Sequence, residues 1–166
     1  MNRVTPSLSS ISRCKYEISD TTLKMMKHCP IIYMGEIGKT RDYLPNIIPT
    51  HKSQLDFLHA NEDSEIYKYG ISNNVYRRLV KEHDKKFKYF DIKLLRESYR
   101  YQEVEYIITQ ELKLKKRLLK MDWDNRIQRE ITYFENENEK DWFKELVDDL
   151  VTSRYKQSQF VNLLMM

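Results

Sequence analysis

The sequence predicts an α+β fold: a small three-stranded mixed or antiparallel sheet flanked by helices, with extra helices at the C-terminal end. Three observations predict it. Residues 65–71 and 88–97 alternate apolar and polar side chains, rich in β-branched and aromatic types, as half-buried strands do, and residues 31–37 form a short apolar run that reads as a strand. Residues 98–120 follow a helical period instead. The order strand, long loop, strand, helix, strand, helix, then helices differs from the regular alternation of a doubly wound parallel sheet. At 166 residues the chain is long enough for one domain with a real core. It divides into a flexible leader over 1–29, a core over 30–120 and a helical extension over 121–166.

Each element has a local reason. The leader MNRVTPSLSSISRCKYEISD lacks the apolar run of a secretory signal, and one short helix is expected over 21–27. Pro30 precedes IIYMGEI, the first strand, and Gly38 ends it. Residues 38–64 hold Pro45 and Pro49 without clear periodicity, which predicts a long excursion with one helical turn over 54–59. The second strand runs into Gly70, after which Asn73 or Asn74 caps a basic helix over 75–85. In 98–120, Val104, Ile107, Ile108, Leu114, Leu118 and Leu119 share one face. Further helices are expected over 124–134 and 139–151, with an amphipathic segment over 154–166.

Composition narrows the classes of function. Charged residues make up 33% and mean hydropathy is −0.73, the signature of a soluble protein. No apolar run approaches the roughly 18 residues that suggest a membrane span. Two cysteines, Cys14 and Cys29, cannot form a disulfide framework, which fits a reducing, intracellular setting. The net charge of +4 is unevenly placed. Residues 66–120 carry 15 Lys/Arg against 7 Asp/Glu, whereas 121–166 carry 6 against 10. Such a basic segment favours polyanions, above all nucleic acid; solvated lysine-rich helix faces would give the same count.

GEIGKT, residues 35–40, looks like part of a phosphate-binding P-loop. That loop needs four residues between its glycines, and only two separate Gly35 from Gly38. No dinucleotide fingerprint and no local serine-nucleophile signature fits either.

The informative stretch is IYKYGISNNVYRRLVKEH, residues 66–83. A strand enters a glycine turn, and hydroxyl, amide and guanidinium groups gather at the start of a basic helix, an arrangement suited to gripping a phosphate. Together, IIYMGEIG and YKYGISNNVYRRLVKEH resemble the two motifs of the GIY-YIG nuclease superfamily, in particular its variant branch in large DNA viruses and phages. The resemblance runs from about 31 to 120. Ile31 stands where the family opens with glycine, and Lys68 where it carries a second tyrosine.

The resemblance implies a metal-dependent DNA endonuclease. Tyr33, Lys68, Arg78 and Glu105 take the catalytic positions, and Glu105, ahead of Glu103, is the ligand of Mg²⁺ or Mn²⁺. Tyr69, Gly70, Ser72, Asn74, Arg77 and His83 stand where substrate would bind. His83 lies five residues past Arg78 where four is commoner; on a helix both positions reach roughly the same side. An arginine fork and a metal suit the extra charge on a phosphodiester in transition, and a tyrosine or lysine of lowered pKa suits proton removal from water.

Plainer readings stand beside these roles. Tyr33 and Tyr69 also fit as sheet aromatics, and Glu105 as a solvated helix carboxylate. His83 fits a helix end, and REITYF, residues 129–134, fits helix packing, with a substrate role as its alternative. Lys68 and Ile31 motivate a second reading of the whole chain, a catalytically inactive nucleic-acid-binding module with the same fold. A third is a protein-interaction subunit built on the acidic C-terminal helices.

Overall fold

A computed structural model describes residues 19–83, 86–87, 90–122 and 130–152. The elements in chain order are α1 (Asp20–Met25), β1 (Ile31–Lys39), α2 (Thr40–Tyr43), β2 (Ile47–Ile48), α3 (Lys52–Ala60), β3 (Glu65–Ser72), a π-helix (Arg77–His83), β4 (Asp91–Glu97), α4 (Tyr101–Leu114), β5 (Lys120–Met121), β6 (Ile131–Tyr133) and α5 (Glu137–Thr152). The fold is α+β.

The main sheet has the order β4-β1-β3-β6, antiparallel throughout, and β2 pairs with β5 in a separate two-stranded ribbon. The expected three strands are present, but the sheet has a fourth. Its edge strand β6 lies inside the 124–134 segment expected to be helical. Ile131, Thr132 and Tyr133 are all strand-favouring types, yet three residues are too few to display alternation.

Two apolar layers sandwich this sheet. Ile31, Tyr33, Ile37, Ile66, Ile92 and Ile131 face Leu23 of α1, Leu58 of α3, and Val75 and Leu79 of the basic turn. Ile32, Met34, Tyr67, Tyr69 and Leu94 face the other way, against Val104, Ile108 and Leu112 of α4 and Phe143, Val147 and Leu150 of α5. This two-sided burial is the reason β1 is apolar along almost its whole length.

Helix α1 lies in the stretch expected to be a flexible leader. Six residues cannot hold a helix alone. Ser19 accepts from the Thr22 N–H as its N-cap, and Leu23 is fully buried, a contribution of about 1.5–3 kcal/mol. The excursion over 38–64 carries α2, β2 and α3 rather than a single turn. Helix α4 stops at Leu114, short of the expected Lys120, because Lys116 turns left-handed (φ 58°) and the Arg117 N–H reaches back to the Leu112 carbonyl at 2.9 Å. The expected segment over 154–166 lies outside the described residues, as do Cys14 and residues 124–129 of the expected 124–134 helix. No helix among the described residues is long and apolar enough to cross a membrane.

Candidate active site

Register places the first two candidates. Tyr33 of β1 sits directly opposite Gly70 of β3, and Lys68 opposite Gly35. Alternation puts Tyr33, Lys68 and Gly70 on the face that meets the π-helix. Each glycine makes room for an aromatic ring or its hydroxyl. A Cβ on Gly70 would stand 2.7 Å from the Tyr33 hydroxyl, and one on Gly35 would stand 2.2 Å from the Phe90 ring. Phe90 in turn stacks on His83, with centroids 5.0 Å apart.

The Tyr33 hydroxyl is the hub. It lies 2.8 Å from His83 Nε2, and the Arg78 guanidinium bears on it through charge and hydrogen bonding. Burial and the Lys68 and Arg78 charges push the His83 pKa down to about 2, so the imidazole is neutral. A neutral ring can accept the phenol proton while the phenol oxygen accepts from arginine. Burial raises the Tyr33 pKa strongly, and the Arg78 charge opposes that rise without cancelling it.

Lys68 is 5% exposed, and its Nζ donates to Glu130 and to the Tyr69 carbonyl. Desolvation lowers its pKa, and the Glu130 charge works against that lowering. Glu105 enters from α4, on the opposite layer. Its pKa rises to about 7, first from burial and then from the charge and hydrogen bonding of Glu130. Lys68 and Arg78 both act on it as well, which brings all four proposed catalytic residues into one electrostatic group.

The short edge strand explains how residues from both layers meet. β6 covers β3 only as far as Lys68, after which the Tyr69 N–H donates to the Glu130 carbonyl. Beyond that point the edge is open among the described residues, and Glu105 meets the other groups there.

The remaining candidates divide. His83 and Gly70 belong to the constellation. Ser72 and Asn74 spend their side-chain oxygens on local backbone, accepting from the Asn74 N–H at 2.9 Å and the Arg77 N–H at 3.2 Å. Arg77 points to solvent, 73% exposed, within 3.4 Å of Glu82. Tyr69 is fully buried in the other layer, its hydroxyl 2.8 Å from Thr109 Oγ1 and its ring against Phe143, so it does not face the same space as Tyr33. The REITYF segment supplies Glu130, a charged member that no motif marks; its signal was a carboxylate beside a short β-prone run.

The donor set fits a hard divalent cation. Glu105 Oε2 is buried with no hydrogen-bond partner, an orphaned carboxylate oxygen of the kind such an ion would satisfy. No cluster of three or more His, Cys, Asp or Glu side chains is present among the described residues, so water and phosphate oxygens would complete the coordination.

Comparison with family models, with curated proteins and with solved structures gives no match.

Proposed function

We propose that the protein is a metal-dependent endonuclease that hydrolyses phosphodiester bonds in DNA, of the GIY-YIG type its two motifs resemble, acting in an intracellular setting. The observation that supports this reading is the convergence of Tyr33, Lys68, Arg78 and Glu105 in one electrostatic group, from four elements, two strands, the π-helix and α4. Arg78, half-buried at the rim, supplies a cationic fork for the non-bridging oxygens of the scissile phosphate. Lys68, whose lowered pKa brings its neutral amine within reach, takes the proton from the attacking water. Tyr33, the other base the motifs offer, is disfavoured: burial raises its pKa where a lowered one was expected, and neutral His83 is too weak a base to relieve it of its proton. Glu105 would hold Mg²⁺ or Mn²⁺, which supplies Lewis-acid charge stabilisation when bound. The basic segment over 66–120 holds the nucleic-acid backbone without reading its sequence.

Plasmid nicking with and without Mg²⁺ tests the reading, with wild type beside Arg78→Ala and Glu105→Ala. Metal-dependent nicking that both substitutions abolish, with DNA binding kept by Glu105→Ala, is the expected result. Normal cutting by Glu105→Ala, or none by wild type with either metal, rejects it. One observation favours the alternative, a catalytically inactive nucleic-acid-binding module: Tyr33 is fully buried and its ionisation is disfavoured. That alternative predicts salt-sensitive binding without scission.

A further inference from the structure

Among the described residues, Glu130 is a charged member of this electrostatic group to which the motifs give no task. Its carboxylate contacts Lys68 Nζ, and Oε2 would stand 3.3 Å from a Cβ on Gly70. The same carboxylate is coupled by charge and hydrogen bonding to Glu105. Its backbone is pinned, since its carbonyl accepts the Tyr69 N–H at 2.9 Å just before β6 begins. The side chain therefore starts from a fixed point at the end of the sheet and reaches both halves of the constellation.

Lys68 needs such a partner. Its flexible four-carbon stem would let the ammonium swing, and Arg78 repels it. The Tyr69 carbonyl 3.1 Å away is its other hydrogen-bond acceptor. We propose that Glu130 is the positioning residue of the site: from the end of β6 it holds the Lys68 ammonium on the sheet face that carries Tyr33. Gly70 is part of the same device, because any side chain there would crowd both Tyr33 and Glu130. The catalytic consequence rests on the nuclease reading; the holding of Lys68 does not.

Two readouts separate the two. Acetylation of Lys68, followed by peptide mass spectrometry in the metal-free protein, reports whether its ammonium is held. Glu130→Gln should raise Lys68 labelling relative to exposed lysines, and Glu130→Asp should lie between it and wild type. In plasmid nicking, Glu130→Gln should lower kcat by about 10–100-fold while KM stays within about threefold. Glu130→Asp should recover part of that loss, and Glu130→Gln should cost little more in a Lys68→Met background. Unchanged Lys68 labelling overturns the proposal, as does full nicking by Glu130→Gln. Absence of nicking by wild type overturns the nuclease reading instead, and labelling then decides the role of Glu130 by itself.

Discussion

Arg78 and His83 stand five residues apart and act on one oxygen, the Tyr33 hydroxyl. In an α-helix a five-residue separation turns side chains about 140° away from each other, so the expectation that the fourth and fifth positions reach roughly the same side fails for regular α-geometry. The wider π-turn over Arg77–His83 brings them back to one side. The sequence shows the unusual spacing; the backbone accommodates it by widening rather than by letting His83 drift. Deleting the exposed Lys81 should restore four-residue spacing and carry His83 off the phenol. The expected cost is about 1–3 kcal/mol for a buried hydroxyl left without its acceptor, measured by urea denaturation. Unchanged stability would show that the π-turn is incidental.

His83 also gives the protein a defined acid sensitivity. It stays neutral in the native state down to about 2, while in the unfolded chain it titrates near 6.5. The unfolded state therefore binds a proton that the native state refuses. Stability from this group is present above about pH 6.5 and is lost as the pH falls towards 2, at up to about 1.4 kcal/mol per unit. Glu105 works in the opposite sense, since its raised pKa favours the native state at low pH and that benefit fades as pH rises through about 7. His83→Phe keeps the ring stack and removes the imidazole, so the difference between variant and wild type isolates the histidine. Melting curves from about pH 5 to 8 should show the variant losing less stability on acidification; parallel curves would refute this.

The two strand glycines make separable predictions. Gly70→Ala drives a methyl against Tyr33 and Glu130, whereas Gly35→Ala drives one into the Phe90 ring. Each should cost about 1–3 kcal/mol or more through overpacking. Only Gly70→Ala should also alter Lys68 labelling. Equal labelling in both variants would detach Gly70 from the charged group.

Arg77 and Arg78 are neighbours with different tasks. Arg77 is exposed and 3.4 Å from Glu82, while Arg78 pairs with the same carboxylate at 3.0 Å and also bears on the phenol. Arg77→Ala should reduce the slope of log affinity against log salt by about 1. Arg78→Ala should cut nicking by about 100–1000-fold. A filter-binding salt titration beside a nicking assay distinguishes them; interchangeable effects would contradict the assignment.

Three strands and the helix that carries Glu105 were legible from apolar runs or a clear period, whereas Gly70, expected to open a turn, lies opposite Tyr33 inside β3, which runs on to Ser72. Tyr33 and Gly70 followed from motif spacing, and their cross-strand pairing from antiparallel register. What stayed hidden was short or nonlocal. β6 has too few residues to alternate; the short helix expected over 21–27 is present as α1, but its docking on the core through Leu23 was not legible. Glu130 gains its importance only from contacts with Lys68, 62 positions away, and with Glu105. Tyr69, expected as a substrate contact, flanks Gly70 in sequence and therefore faces the opposite layer, against the helix that carries Glu105.

The brevity of β6 has a consequence for how this domain could change. Three residues tie the segment that carries Glu130 to the sheet, through pairs with Ile66, Tyr67 and Lys68. A substitution that weakens this short ladder would loosen Glu130 from Lys68 while every charged side chain stayed in the sequence.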